Sequence, residues 1–170
     1  MYGIDMKQGK HFGQYHANQA CNQDVDQIAF EGVFFDAAIA SHALEHLQSS
    51  SKLLQHLYGK LRTEAHAHIE IPSEHTERLP TQPESASRGW PMIIANFHDD
   101  CTHIVAMTLS QLTDLCGAAG FQIKASGNVF IDYLSDAIIR YGIEHGDGEV
   151  RLNDSWSKSR WAQYVLPEKP

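Results

Sequence analysis

Apolar positions along this chain fall into short continuous runs and into stripes of helical spacing, and the two patterns separate strands from helices. Phe34 to Ala40 is a short apolar run broken only by Asp36. Its Ala37–Ala40 core predicts a parallel strand covered on both faces. The run stops at Ser41-His42. Ser41 has the chemistry of a helix N-cap, and Leu44 and Leu47 then recur at helical spacing. Ser49-Ser50-Ser51 offers a second N-cap, and Leu53, Leu54, Leu57 and Leu61 predict an amphipathic helix over 50–62. Ala65 to Ile71 alternates weakly and ends at Pro72, which suits a strand leaving a sheet. Thr108 opens a helix whose apolar face is Leu109, Leu112, Leu115, Cys116 and Ala119, and Gly120 stops it.

Weaker patterns fill the remainder. Tyr2 to Met6 predicts a short strand carrying an acid near its end, Phe12 to Ala17 a polar strand, and Phe121 to Ala125 and Arg160 to Leu166 two more. Gln19 to Gln27 reads as a loop or short helix, Asp132 to Ile143 as a short helix, and Glu144 to Ser159 as turn-rich. Residues 73–95 hold Pro80, Pro83, Gly89 and Pro91 and predict a long loop, of the kind that serves as a lid or binding element. The order β, β, β, α, β, loop, α, β, β is a mixed α/β pattern. At 170 residues it predicts one domain, 1–170, large enough to bury a core.

Charge and cysteines narrow the class. A formal charge of −8 argues against nucleic acid or an anionic membrane as the partner. Cys21, Cys101 and Cys116 are widely spaced, with no C-x-x-C, which argues against a disulfide framework or a structural zinc site. No apolar run reaches transmembrane length and the N-terminus lacks a signal-peptide core, so a cytoplasmic protein is expected.

Candidate chemistry concentrates in two places. Ala40, Ser41 and His42 end the strongest strand, and in open α/β sheets ligands sit at the carboxyl ends of strands. Glu45 and His46, just beyond, read as helix-face polar residues that hold neighbouring backbone. His98, Asp99, Asp100 and His103 form the densest titratable set. Three readings stay open there: an imidazole base at His103 or His98, a divalent-ion site, or a turn capped by Asp100 with His103 bonded to backbone. His98 and His103 are too far apart in sequence to share a helix face as ligands, and no metal is assigned. His66/His68 and Glu64/Glu70 alternate along a strand and read as an exposed edge. Trp90, Trp156 and Trp161 read as packing residues, with Trp90 also placed to stack on a sugar.

The segment Phe35-Asp36-Ala37-Ala38-Ile39-Ala40-Ser41-His42-Ala43-Leu44-Glu45-His46-Leu47 resembles the stretch F-D-x-[VI]-x-x-x-x-[VA]-L-E-H-[VL] after the fourth strand of class I S-adenosylmethionine (SAM)-dependent methyltransferases. Tyr2-Gly3-Ile4-Asp5 resembles that family's second strand, whose acid takes the cofactor's ribose hydroxyls. His16-Ala17-Asn18 falls where the family places an adenine contact, and Asn18 has an amide oxygen able to accept from the adenine amine. Ile69-Glu70-Ile71-Pro72 matches the end of the fifth strand. Asn96 to His103 resembles N-[FHY]-x-D-x-T-H, found in a subset acting on sugars and glycans.

The resemblance implies a Rossmann-like, mostly parallel sheet with helices on both faces, and SAM as cofactor. Asp5, Asn18, Ala40, Ser41 and His42 would line the cofactor cleft. The methyl acceptor would be an oxygen of a small molecule or glycan, with His103 or His98 as base and Asp100 orienting it. Two departures stand out. The family's first strand and glycine-rich loop have no counterpart in this chain, and Leu61 to His66 lacks the glycines that usually precede the fifth strand. The missing strand leaves a gap that Tyr2 to Met6, a second copy or a partner would fill, unless the chain is a truncated form. A non-catalytic, methyltransferase-like binding or assembly protein is the competing expectation.

Overall fold

The computed structural model describes residues 1–5, 15–20, 30–78, 81–87, 96–130 and 160–170. Two sheets form among them. Strands β1 (Tyr2–Asp5) and β2 (Ala17–Ala20) pair in parallel. Strands β3 (Phe35–Ser41), β4 (Leu61–Pro72), β5 (Gln122–Phe130) and β6 (Arg160–Glu168) make a four-stranded sheet in the order β3-β4-β6-β5. β3 and β4 run parallel, and β6 is antiparallel to both its neighbours. The α/β expectation holds, in a mixed sheet. The helices are α1 (Ser50–Lys60), α2 (Gln82–Ser87) and α3 (Leu109–Ala118).

The period-two pattern of β4 explains where the core lies. Ala65, Ala67, Ile69 and Ile71 point to one face and are buried with Leu54 of α1 and Leu112 and Cys116 of α3. Each fully buried leucine or isoleucine contributes about 1.5–3 kcal/mol. His66 and His68 point to the other face, which is open to solvent among the described residues, as the alternation predicts.

Burial of Cys116 pushes its thiol up to about 12, so it packs as an apolar side chain.

Helix α3 forms as its sequence predicts. Thr108 and Gln111 make a reciprocal capping box at its start. At its end Phe121 N–H donates to the Cys116 carbonyl and Gly120 N–H to that of Gly117, the two bonds of a Schellman motif. Gly120 has φ +103, and a Cβ there would lie 3.0 Å from the Tyr58 ring. Gly120→Ala is therefore expected to destabilise the fold by about 2 kcal/mol, from backbone strain plus displacement of the ring. Urea unfolding checks it, with Gly59→Ala, where a Cβ meets open space, expected to leave stability within about 0.5 kcal/mol.

Several expectations change. β3 is parallel, as predicted, but it is not covered on both faces, since Ile39 is 79% exposed. Ser41 does not cap a helix. It ends β3, its hydroxyl donates to Glu70 Oε1 at 3.3 Å, and a single 3-10 turn over Leu44–His46 follows. The reason lies in the carbonyls. Leu44 O accepts both Leu47 N–H and Ser50 Oγ–H, while Ile104 and Val105 N–H donate to Glu45 O, so the next carbonyl a longer helix needs is committed elsewhere. Helix α1 stops at Lys60, and Leu61, expected as its last apolar position, instead opens β4. Where the resemblance lacks its glycines the chain runs directly from α1 into β4, and Glu64 stands inside that strand at φ +65, by its register shift against β3, a left-handed conformation costing about 1–2 kcal/mol in a non-glycine residue. Gln19, expected in a loop, lies in β2, and the long loop over 73–95 contains a 3-10 turn and α2.

Tyr2 to Asp5 does not move across to pair with β3. Among the described residues it pairs with β2, and side chains bridge the space to β3: the Tyr2 ring meets Phe35 at 5.2 Å and Phe30 at 5.0 Å, and Ile4 packs near Leu47. The expected helix over 132–143, the turn-rich 144–159, residues 6–14 and 21–29, Trp90 and Trp156 lie outside the described residues.

Candidate functional site

The carboxyl end of β3 is where the polar side chains converge. His42 follows the strand at φ +49, a rare conformation for a non-glycine residue, held because its N–H donates to the Glu70 carbonyl at 2.9 Å. This aims the imidazole between two carboxylates: Nδ1 stands 3.3 Å from Glu45 Oε1 and Nε2 3.3 Å from Glu70 Oε1. Glu45, then Glu70, raises the His42 pKa against the opposing effect of burial. Ala40 is half-buried and Ser41 and His42 are exposed, so these three form the accessible lip of the site.

The Asn96–His103 segment folds over that end. Asn96 and Asp99 make a capping box, and Asp99 Oδ1 also accepts from Gln82 N–H at 2.7 Å, which ties the segment to α2. Asp100 accepts from Thr102 N–H at 2.8 Å and from Thr102 Oγ1 at 2.6 Å, and the hydroxyl, foremost, holds its carboxyl below the usual range. The Thr102 hydroxyl hydrogen is committed to Asp100, so at 2.9 Å its Oγ1 accepts from His46 Nδ1–H. His103 Nδ1–H donates to the Phe97 carbonyl at 2.7 Å.

These bonds fix two imidazoles in one tautomer, with Nδ1 protonated and Nε2 presented to the interior. Both Nε2 atoms face Glu45 Oε1, at 3.9 Å from His46 and 4.0 Å from His103. Glu45 is 1% exposed and neither of its carboxylate oxygens makes a hydrogen bond. The His42 contact is at ion-pair distance without hydrogen-bond geometry.

The sequence candidates sort accordingly. His103, Ser41, His42 and Ala40 gather at one end of β3. Asp100 Oδ2 lies 3.9 Å from His103 Nε2, outside hydrogen-bond reach, and the Phe97 carbonyl is what orients that ring. His98 is exposed and turns outward to Glu77, 3.6 Å away. Asp5 ends β1 and Asn18 pairs with Gly3 in β2. Glu45 and His46 read from sequence as helix-face residues, and they prove central. The available signal was an acid–imidazole pair between two buried leucines, Leu44 and Leu47.

Comparison with known proteins identifies the fold and the family. A methyltransferase domain family model matches residues 1–126. No curated protein sequence is significantly similar. Among solved structures, the [4+2]-cyclase SpnF is 15% identical with a TM-score of 0.53, over 99% of this chain and 66% of its own. A putative methyltransferase in complex with the Haloferax volcanii Trm112 methyltransferase activator is 11% identical with a TM-score of 0.62, over 99% and 71%. The Burkholderia thailandensis 1,6-didemethyltoxoflavin-N1-methyltransferase, solved with S-adenosylhomocysteine, is 14% identical with a TM-score of 0.56, over 99% and 61%. This chain therefore spans about two thirds of the length of these structures. Such distant likenesses establish the fold, and the family match, over most of the chain, establishes kinship. The chain belongs to the methyltransferase domain family, whose cofactor is SAM.

Proposed function

We propose that this chain transfers the methyl group of SAM to an oxygen of a small molecule or sugar. The observation that carries the reading is the convergence at one end of β3: an accessible lip of Ala40, Ser41 and His42 beside a buried polar cluster around His103. Small side chains at Ala37, Ala38, Ala40 and Ser41 keep the lip shallow, and Ile39 and Ala37 are exposed along β3. Asp5 at the end of β1 takes the ribose hydroxyls, Asn18 the adenine amine, and Ala40, Ser41 and His42 face the sulfonium side. Bound SAM supplies an electrophilic methyl group. The chain holds it in line with the acceptor oxygen, which is activated at the His103 cluster. The C–S bond breaks as the new C–O bond forms, S-adenosylhomocysteine leaves, and the hydroxyl proton passes to the cluster. The free edge of β3 among the described residues suits a further strand from a second copy or a partner chain.

Incubation with SAM carrying a labelled methyl group, together with a panel of sugars and hydroxylated small molecules, tests the reading. Label in an acceptor's C–O–CH3 group, with stoichiometric S-adenosylhomocysteine, is expected. A SAM-saturated protein that labels only nitrogen or carbon acceptors would contradict oxygen transfer.

A further inference from the structure

We propose that Glu45, His46 and His103 form a binding site for one divalent transition-metal cation, of the zinc or manganese class. One ligand atom from each of the three residues lies within 4.8 Å of the others, and both Nε2 atoms face Glu45 Oε1 at 3.9 and 4.0 Å. The two rings approach at 4.7 Å between centroids. Their positions come from separate parts of the chain, a turn after β3 and the Asn96–His103 segment, joined through the Ile104 and Val105 bonds to Glu45 O.

Unmatched acceptors point to the cation. With Nδ1–H of His103 committed to the Phe97 carbonyl and that of His46 to Thr102, each neutral ring offers only a lone pair at Nε2. The group they face is a buried carboxylate whose two oxygens have no hydrogen-bond donor. Three acceptors pointed at one another are unfavourable unless a cation sits between them. His42, half-exposed and at the rim, stands between Glu45 and a second acid, Glu70. Asp100 Oδ2 and the Thr102 hydroxyl complete the polar surround.

The ligand set fits the chemistry. Two imidazoles and a carboxylate suit zinc, iron or manganese, and three protein ligands leave a position open. The Phe97 carbonyl and the Thr102–Asp100 pair are outer partners of the kind that fix histidine ligands in place. A tetrahedral site with bonds of about 2.0–2.1 Å has ligand atoms about 3.4 Å apart. The observed Oε1–Nε2 distances of 3.9 and 4.0 Å close to that with a shift of about half an ångström each, and every pair of ligand atoms lies within 4.8 Å.

The inference deepens the proposed function and in that respect rests on that reading: with both Nε2 atoms on the cation, the metal lowers the acceptor hydroxyl's pKa in place of a His103 base, and the proton leaves to solvent water at the exposed lip. Metal binding itself is measured without SAM or acceptor, so its failure and the failure of methyl transfer are separate results. The test is calorimetric titration of the chelator-treated full chain with zinc and with manganese. Because the chain holds eleven histidines, the control is a His66→Ala/His68→Ala variant, which removes exposed rings. One saturable equivalent is expected in the wild type and in the control, weakened at least tenfold in Glu45→Gln. Paramagnetic broadening of the wild-type His46 and His103 ring resonances by manganese gives a readout independent of whether the variant folds. Absence of stoichiometric binding would overturn the site, as would equal affinity in a folded Glu45→Gln, or broadening confined to exposed histidines. Protons on His42, His46 or His103 would then be what compensates Glu45.

Discussion

Asp5→Ala is expected to lower the affinity of the chain for SAM about a hundredfold. Asp5 closes β1, and in the proposed cleft its carboxylate takes the ribose hydroxyls of SAM. A carboxylate that accepts two hydroxyl hydrogen bonds makes two charge-assisted contacts, each contributing about 1.5–3 kcal/mol. Removing both costs about 3 kcal/mol after water partly replaces them, which corresponds to about a hundredfold. Asp5→Asn keeps one acceptor oxygen and is expected to lose about tenfold. Competition against a fluorescent SAM analogue reads both values. Equal affinity in wild type and Asp5→Ala, with circular dichroism unchanged, would remove Asp5 from the cleft.

The second large effect concerns the fold. Ile69→Ala is expected to destabilise the chain by about 3–4 kcal/mol. Ile69 is 0% exposed, sits on β4 beside Ala40 of β3 and Val165 of β6, and lies in the cluster containing Leu54, Leu112 and Cys116. Truncation removes transfer energy and leaves a cavity that a β-sheet backbone cannot collapse into. Ile39→Ala, one strand away and 79% exposed, is expected to change stability by less than about 0.5 kcal/mol. Urea unfolding of the pair separates a core position from a surface one on neighbouring strands. A small loss at Ile69, or a large one at Ile39, would mean that the sheet packs through its other face.

How much of this is legible in the sequence depends on whether a residue's role is local. Thr108, Leu112, Cys116 and Gly120 define α3 from sequence because capping, stripe and stop are set within a few residues. The period-two alternation of β4 likewise suffices to put His66 and His68 on one face. The 3-10 turn after β3 is not legible. Leu44 and Leu47 do have helical spacing, but the carbonyls of Leu44 and Glu45 are taken by Ser50 and by Ile104 and Val105, the latter pair from far along the chain. The exposure of Ile39 is not legible either, since an apolar run does not say which side of a strand has neighbours. In the site, the lip at Ala40, Ser41 and His42 follows from a strand ending, and His103 from a dense titratable segment. The role of Glu45 comes only with the tertiary contact that brings His103 back to it. The family's motif is readable after β3, where its residue types recur in order, while in place of its glycines the chain runs straight into β4 with a left-handed Glu64 inside the strand, which no propensity suggests.

Equilibrium binding of SAM and of S-adenosylhomocysteine to the purified wild-type chain, by titration calorimetry, tests the central claim most directly. Saturable one-site binding of SAM, competed by S-adenosylhomocysteine, is the expected result and would mean that the ends of β1 and β3 form a working cofactor cleft without a glycine-rich loop. A folded, monodisperse chain that gives neither heat nor a thermal shift with either molecule would contradict it.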